Sequence, residues 1–310
     1  MSGEGEVGTP PTWRTAWTDA LYGPHGFFRE HSPADHFRTS VHASGLFADA
    51  ILRLVRERGL RAVVDVGAGR GELLQQLHER CEPGELSLVA VEVAERPRAL
   101  DPAIEWSPDL PERVDGLLIA NEWLDNVPCD VVEVDAEGVP RIVHVDPGTG
   151  DEHLGRQVSD EWLATWWQLG APGERAEIGS TRDDAWAFAV SRLHSGVAVA
   201  IDYGHLAADR PVLGSVRSYL AGQEVDVRLD GSCDVTAHVA VDAVADRVGA
   251  RLVLQRDALA DLGVSGSRPP LDLATGDPQA YLAALSRASE AAELIAASGL
   301  GDFWWVVTER

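Results

Sequence analysis

The chain has 310 residues, 45% of them apolar, enough for one large domain or two small ones with a proper core. Its formal charge is −24, from 50 acidic and 26 basic residues, and every basic residue is an arginine. Such acidity repels nucleic-acid phosphates, and the lack of lysine excludes Schiff-base and P-loop lysine chemistry.

Met1–Pro11 is acidic and small, unlike a signal peptide, and reads as a disordered tail. Residues 12–58 read as an N-terminal lid and helical segment. Thr12 to His36 is aperiodic and rich in aromatics, His, Gly and Pro; Ser40 to Arg58 is a predicted helix with Val41, Leu46, Phe47, Ile51, Leu54 and Val55 on one face. From 59 to 310 the pattern alternates. Strands are predicted at Ala62–Val66, Leu86–Val93, Ala103–Trp106 and Gly116–Ala120, with a helix over Glu72–Arg80. Runs apolar on both faces, separated by helical patterns, indicate an α/β fold with a mostly parallel sheet. The pattern breaks over about 131–195, which reads as an insertion. It holds a hairpin (Val131–Asp135 and Val139–Val145 across Glu137-Gly138), a Trp-rich helix at Asp160–Leu169 and a second helix at Asp183–Leu193. Strands resume at Val197–Asp202, Ala250–Gln255 and Asp302–Thr308, the last amphipathic like an edge or antiparallel strand; Gln279–Ser298 is a helix. No run approaches the roughly 20 apolar residues of a membrane helix. Cys81, Cys129 and Cys233 fit neither a disulfide framework nor a zinc cluster, so a cytoplasmic chain without a metal is expected.

The strongest motif is VVDVGAGRGELL (Val63–Leu74). Gly67, Ala68, Gly69 and Gly71 sit where a strand turns into a helix, so backbone approaches a ligand and helix N–H groups face it. The spacing G-x-G-x-G departs from the dinucleotide G-x-G-x-x-G. Glu92, at the end of the second strand, is placed to grip ribose hydroxyls of either NAD or S-adenosylmethionine. Asp65 and Glu72 flank the loop and would repel a pyrophosphate, whereas they suit the ammonium and sulfonium of S-adenosylmethionine. The adenine is expected near Trp106–Leu110, including Asp109.

Several segments together resemble one family of class I methyltransferases, the MidA-type family, which includes the mitochondrial complex I assembly factor that methylates an arginine. VVDVGAGRGELL resembles its cofactor loop, VEVAERPRAL (Val91–Leu100) its ribose segment, and ANEWLDNVPCDVV (Ala120–Val132) its Asn-Glu-aromatic motif. AIDYG (Ala200–Gly204), GSVRSY (Gly214–Tyr219) and DVTAHV (Asp234–Val239) match its later signatures in order. The resemblance implies a Rossmann-like seven-stranded sheet with an N-terminal lid and a helical insertion, and S-adenosylmethionine turned over to S-adenosylhomocysteine. The family's N-terminal Gly-Asp-Phe and Thr-Ser-Pro-Glu read here as GFF (Gly26–Phe28) and TSVH (Thr39–His42), with His42 in place of the acid.

Methyl transfer needs alignment and, for some acceptors, removal of a proton. Asn121, Glu122 and Asp125 stand just beyond the fourth strand, where two carboxylates could hold a guanidinium bidentately; the alternative is a turn cap and a solvated acid. His238 is the general-base candidate, sharing a strand face with Asp234 and Thr236, or else a structural histidine. Asp202 and Tyr203 either line the substrate side or close a strand-end turn. Trp162, Trp166 and Trp167 either wall a pocket or pack a core. The histidines of the N-terminal segment (His25, His31, His36) fit no metal template. The expected activity is methyl transfer to N or O, first to an arginine side chain of a partner protein. A small specialised metabolite is the second acceptor, and a binding or assembly factor without turnover a third reading; an NAD oxidoreductase ranks last. Neither nucleic acid nor membrane is an expected partner, and the oligomeric state stays open.

Overall fold

The computed structural model describes residues 9–30 and 40–310. Residues 1–8 of the tail expected over 1–11, and His31, His36 and Thr39, lie outside these residues. Four helices come first: α1 (Trp13–Tyr22), α2 (Phe27–Glu30), α3 (Ser40–Ala43) and α4 (Gly45–Glu57). The first half of the main sheet follows, with β1 (Ala62–Val66), α5 (Glu72–Arg80), β2 (Ser87–Val91), β3 (Ile104–Ser107) and β4 (Val114–Asn121). Next come β5 (Asp130–Val134), β6 (Pro140–Val145), β7 (Glu152–Gln157), α6 (Glu161–Trp166) and β8 (Arg175–Ile178). The chain returns through α7 (Ser180–Ser191) and β9 (Leu193–Asp202). Short strands β10 (Gly204–His205), β11 (Arg217–Leu220), β12 (Gln223–Val225), β13 (Asp234–Thr236) and β14 (Val239–Ala240) lead into α8 (Val241–Val248). It ends with β15 (Arg251–Leu254), α9 (Gln255–Asp261), α10 (Leu271–Gly276), α11 (Pro278–Leu294) and β16 (Trp304–Glu309).

The main sheet has seven strands in the order β15-β16-β9-β4-β1-β2-β3. Pairing is parallel from β9 to β3, and only β16 runs against its neighbours. Side-chain alternation explains why these strands read as apolar on both faces. Val63, Leu117, Ile119 and Ile201 join Val55 of α4, Leu74 of α5 and Leu294 of α11 in one core. Their neighbours Val64, Leu118, Ala120 and Ala200 pack against Trp186 of α7 and Val244 of α8 in another. None of the described helices is long and apolar enough to cross a membrane.

Several expectations are corrected. The insertion is mainly a four-stranded antiparallel sheet, β7-β6-β5-β8, rather than helical, and it ends before α7. Helix α7 belongs to the main sheet, because Trp186, Ala189 and Val190 are buried there. Helix α1 is a fixed part of the inserted unit: Trp13 and Trp17 pack with Val131, Val143 and Val145, and the Trp17 indole N–H donates to Val235 O at 2.9 Å. Residues just before α1 are pinned as well, since Pro10 O accepts from His144 Nδ1 and Pro11 O from Val145 N. The last strand is antiparallel but interior, leaving β15 as the edge. The helix expected over Ser40–Arg58 is broken at Ser44, whose Oγ caps α4 by accepting from Leu46 N at 3.0 Å. The same hydroxyl donates to Glu290 Oε2 of α11 at 2.7 Å, so it joins two helices.

Ser44→Ala removes both bonds, and the expected loss is about 1 kcal/mol or slightly more. Thermal melts followed by circular dichroism should show the lower Tm.

Candidate active site

A cavity of about 860 Å³ opens at the carboxyl ends of β1, β2, β4 and β9. This is where the strand order reverses about β1, the place where open α/β sheets bind ligands. It has two ends.

At the β1–β2 end the glycine loop is tightly closed. Gly67, Gly69 and Gly71 have φ of 69°, 59° and 81°, a region that disfavours any side chain. A Cβ on Gly67 would lie 2.5 Å from Trp123, and one on Gly71 2.8 Å from Leu100. The loop's own amides, as distinct from those in the first turn of α5, are already bonded. Gly67 N and Ala68 N donate to Val91 O, Gly71 N to Ala68 O, Gly69 N to Glu92 Oε2 at 3.0 Å and Arg70 N to Glu72 Oε2 at 2.9 Å. A phosphate would find these loop amides taken and two carboxylates in their place. Glu92 follows β2 and also accepts from Val93 N and Ala94 N; burial pushes its carboxyl up, while these amides pull it down. Asp65 is 4% exposed and pushed well up, by burial and then by Glu72 and Glu92. Among the described residues no donor bonds its carboxylate. Burial raises Glu72 too, but hydrogen bonds from His42 and the backbone outweigh it and hold it low. Asp109 and Leu110 line the wall, as do Ala185 and Phe188 of α7; Trp106 instead packs beneath Gly71 and donates to Ala94 O. Three acids and an apolar wall fit a cationic nucleoside sulfonium better than a pyrophosphate.

At the β4–β9 end Asn121, Glu122 and Asp125 come together as expected, though Asp125 is buried rather than solvated. Glu122 has φ 53° and is held through its own N–H to Ile201 O. Its Oε1 accepts from Ser40 N at 3.2 Å and Asn121 Nδ2 at 3.1 Å. Burial, then the nearby Asp125, raise its carboxyl to about 7. Asp125 Oδ2 accepts from Tyr203 OH at 2.5 Å and Thr236 Oγ1 at 2.6 Å. Asn121 Oδ1 and Asp125 Oδ1 are buried without a partner among the described residues. Asp202 does not line the cavity: its carboxylate accepts from Leu124 N, Asp125 N and Tyr203 N, clamping the turn that carries Asp125. His238 lies in the break between β13 and β14, so it shares no continuous strand with Asp234 and Thr236. Its ring lines the cavity edge-on to Tyr203, and burial with Arg217 lowers its pKa, leaving it neutral near pH 7.

The aromatic walls at this end are Tyr22, Phe28, Tyr203, Tyr219 and Phe303, of which only Tyr203 is a candidate from the sequence. The three tryptophans are elsewhere. Trp167 packs in the inserted sheet under Arg210, and Trp162 donates to Asp183 Oδ2. Sequence reasoning also missed Arg182, 2% exposed, which donates only to the carbonyls of Asp125, Val127, Ala237 and His238. Nothing in the residue pattern marks it, since it stands just before the helix expected over Asp183–Leu193.

A family model described as "Putative S-adenosyl-L-methionine-dependent methyltransferase" matches residues 46–257. The fold is similar to that of a Burkholderia thailandensis protein solved with S-adenosyl-homocysteine bound: TM-score 0.78, 23% identity, covering 98% of this chain and 89% of that one. It is equally similar to a native structure of an uncharacterized Burkholderia thailandensis protein, with TM-score 0.76, 24% identity and coverage of 98% and 88%. No curated protein matches.

A carboxyl held near 7 rather than 4.5 favours folding while protonated, and that contribution is lost as pH rises through 7. Glu122→Gln should therefore be more stable than the parent at pH 8, by about 2 kcal/mol, with the gain vanishing toward pH 4.5. Melts of both proteins across that range check the sign.

Proposed function

The chain belongs to the MidA-type family of S-adenosyl-L-methionine-dependent methyltransferases, and on that footing we propose that it methylates a cationic nitrogen, first of all the guanidinium of an arginine side chain in a partner protein. The observation that supports this acceptor is the charge of the cavity. Glu122, Asp125 and Asp234 line the acceptor end, while among the described residues no arginine lines the cavity and its basic side chains are His42 and His238. Aromatic walls beside the acids suit a flat delocalised cation.

When bound, S-adenosylmethionine supplies an electrophilic methyl group on a sulfonium, and Asp65, Gly67, Ala68, Gly69, Gly71, Glu92 and Asp109 are the residues assigned to hold it. Asp65 and Glu72 balance its positive charges, and Glu92, fixed by three backbone amides, offers lone pairs to the ribose hydroxyls. At the other end Asp125, anchored by Tyr203 and Thr236, serves as the fixed anion that orients the guanidinium. A guanidinium cation is a poor nucleophile, so a proton must leave as the bond to carbon forms. Glu122 is suited to take it: Oε1 is engaged by Ser40 and Asn121, leaving Oε2 for the proton, and the carboxyl titrates near neutrality. A bound cation lowers that titration, so the acid limb of kcat should lie below that of kcat/KM. The neutral His238 would be the base for a hydroxyl acceptor instead, the arrangement a small-molecule substrate calls for.

Calorimetric titration tests the cofactor. S-adenosylmethionine and S-adenosylhomocysteine should bind saturably, and Asp65→Ala should lose both; binding of NAD in their place would overturn the assignment.

For the acceptor, the assay is transfer of labelled methyl to arginine-containing peptides and to hydroxyl-bearing small molecules. With a guanidinium acceptor, Glu122→Gln should lower kcat/KM by about 10²-fold or more, and His238→Ala by far less. The parent's kcat/KM should rise through about pH 7. The reverse order of the two variants would favour the small-molecule reading, and cofactor binding with no transfer to any acceptor the assembly-factor reading.

A further inference from the structure

We propose that Gln255 is a positioning residue of this site: by bonding Ser40 it holds the Ser40 amide on the carboxylate of Glu122. The proposal rests on the reading that Glu122 receives the acceptor's proton.

Gln255 opens α9 at the edge of the main sheet and is 0% exposed. A polar side chain so deeply buried persists only when its donors and acceptors are met, and here both ends are. Trp305 Nε1 donates to Gln255 Oε1 at 3.2 Å; an indole nitrogen can only donate, which fixes the orientation of the amide. Gln255 Nε2 therefore faces Ser40 Oγ at 3.0 Å, with Leu294 O at 3.4 Å as a second acceptor. Ser40 is 0% exposed, and its backbone N–H donates to Glu122 Oε1 at 3.2 Å. A continuous chain thus runs from Trp305 on β16 through Gln255 and Ser40 to Glu122.

The chain matters because α3 cannot hold itself. It is a single turn of four residues, cut from α4 by the Ser44 cap, and one turn of helix has no independent stability. Its direction comes from outside pins: Gln255 on Ser40 Oγ and Gln76 Nε2 on Val41 O. On the other side the Glu122 backbone is fixed at positive φ by β9. The distance between Glu122 and its amide donor is therefore set by how firmly Ser40 is held. Losing that donor weakens the anionic form and moves the titration upward. The other groups acting on Glu122 are Asp125 and Asp202, which raise it or are raised with it, and Asn121 and His42, which lower it.

The test is a ¹³C titration of the glutamate carboxyls in the full-length protein without cofactor, the Glu122 signal being assigned by its absence in Glu122→Gln. Gln255→Leu and Ser40→Ala should each move the Glu122 midpoint upward by about half to one unit, and the double variant no further than either alone. An unmoved midpoint in both variants, with only a lower Tm, would make Gln255 a purely structural residue and overturn the proposal; so would fully additive shifts. If Gln255→Leu does not fold, Ser40→Ala carries the test, since it deletes only the acceptor that Gln255 uses. Full methyl transfer by Glu122→Gln would instead strike at the proton-acceptor reading, and it leaves the titration result standing.

Discussion

Glu122, Asp125, Asp202 and Asp234 are packed into one end of the sheet, and the rest of the molecule is arranged to tolerate them. Burial pushes all four upward, and for Glu122, Asp202 and Asp234 the next cause is the field of Asp125. Buried anions persist only when hydrogen-bonded, and here the donors are mostly neutral. Three backbone amides serve Asp202, two hydroxyls serve Asp125, and Asn126 Nδ2 serves Asp234. The buried guanidinium among them, Arg182, bonds to none of these acids. It lowers Asp125 and Asp202 through space and spends its hydrogen bonds on carbonyls of the two loops that carry Asp125 and His238. Helix α1 packs beside it: Trp17 lies 5.7 Å from the Arg182 guanidinium and bonds the backbone of β13.

The acids at the acceptor end are met by neutral donors rather than by paired cations. A salt-bridged cluster would be electrostatically mute, whereas acids met only by neutral donors keep an outward field. At the β1–β2 end the same economy appears in the loop, whose amides are turned inward onto Val91, Ala68, Glu72 and Glu92. A glycine-rich strand-to-helix turn is commonly an anion site. Here the carboxylates of Glu92 and Glu72 take two of the loop amides.

Much of the main sheet was legible because its strands are short runs apolar on both faces between helices of period 3.6. Ala62–Val66 and Glu72–Arg80 fall where the pattern puts them. The inserted sheet was not legible throughout. Glu152–Gln157 (EHLGRQ) is an exposed edge strand with no alternation, and Arg175–Ile178 is four residues long, so neither carries a periodic signal. In the cavity, the acids beside glycines and beyond β4 stand out from residue type and position. Ser40, Arg182 and Gln255 do not, because each acts on backbone or side chains far away in sequence: Gln255 meets Ser40 across 215 positions. Sequence shows groups that would touch a ligand more readily than groups that hold those groups in place.

His42, where the resembling family carries an acid, bears directly on the acceptor. Losing a carboxylate there would argue against a cationic substrate if that position belonged to the acceptor end. Yet the His42 imidazole meets Glu72 Oε1 at 3.4 Å, on the side of the glycine loop, and its field on Glu122 is the last of the five causes acting on that carboxyl. Glu122, Asp125 and Asp234 remain, and Ser40, two residues earlier on the same turn, supplies Glu122 with its backbone amide, a first-turn N–H that has no acceptor within its own helix. The exchange of acid for imidazole therefore changes the boundary between the two ends of the cavity more than it changes the acceptor end. The His42 imidazole acts on the Glu72 carboxylate beside the glycine loop rather than on the acids beyond β4.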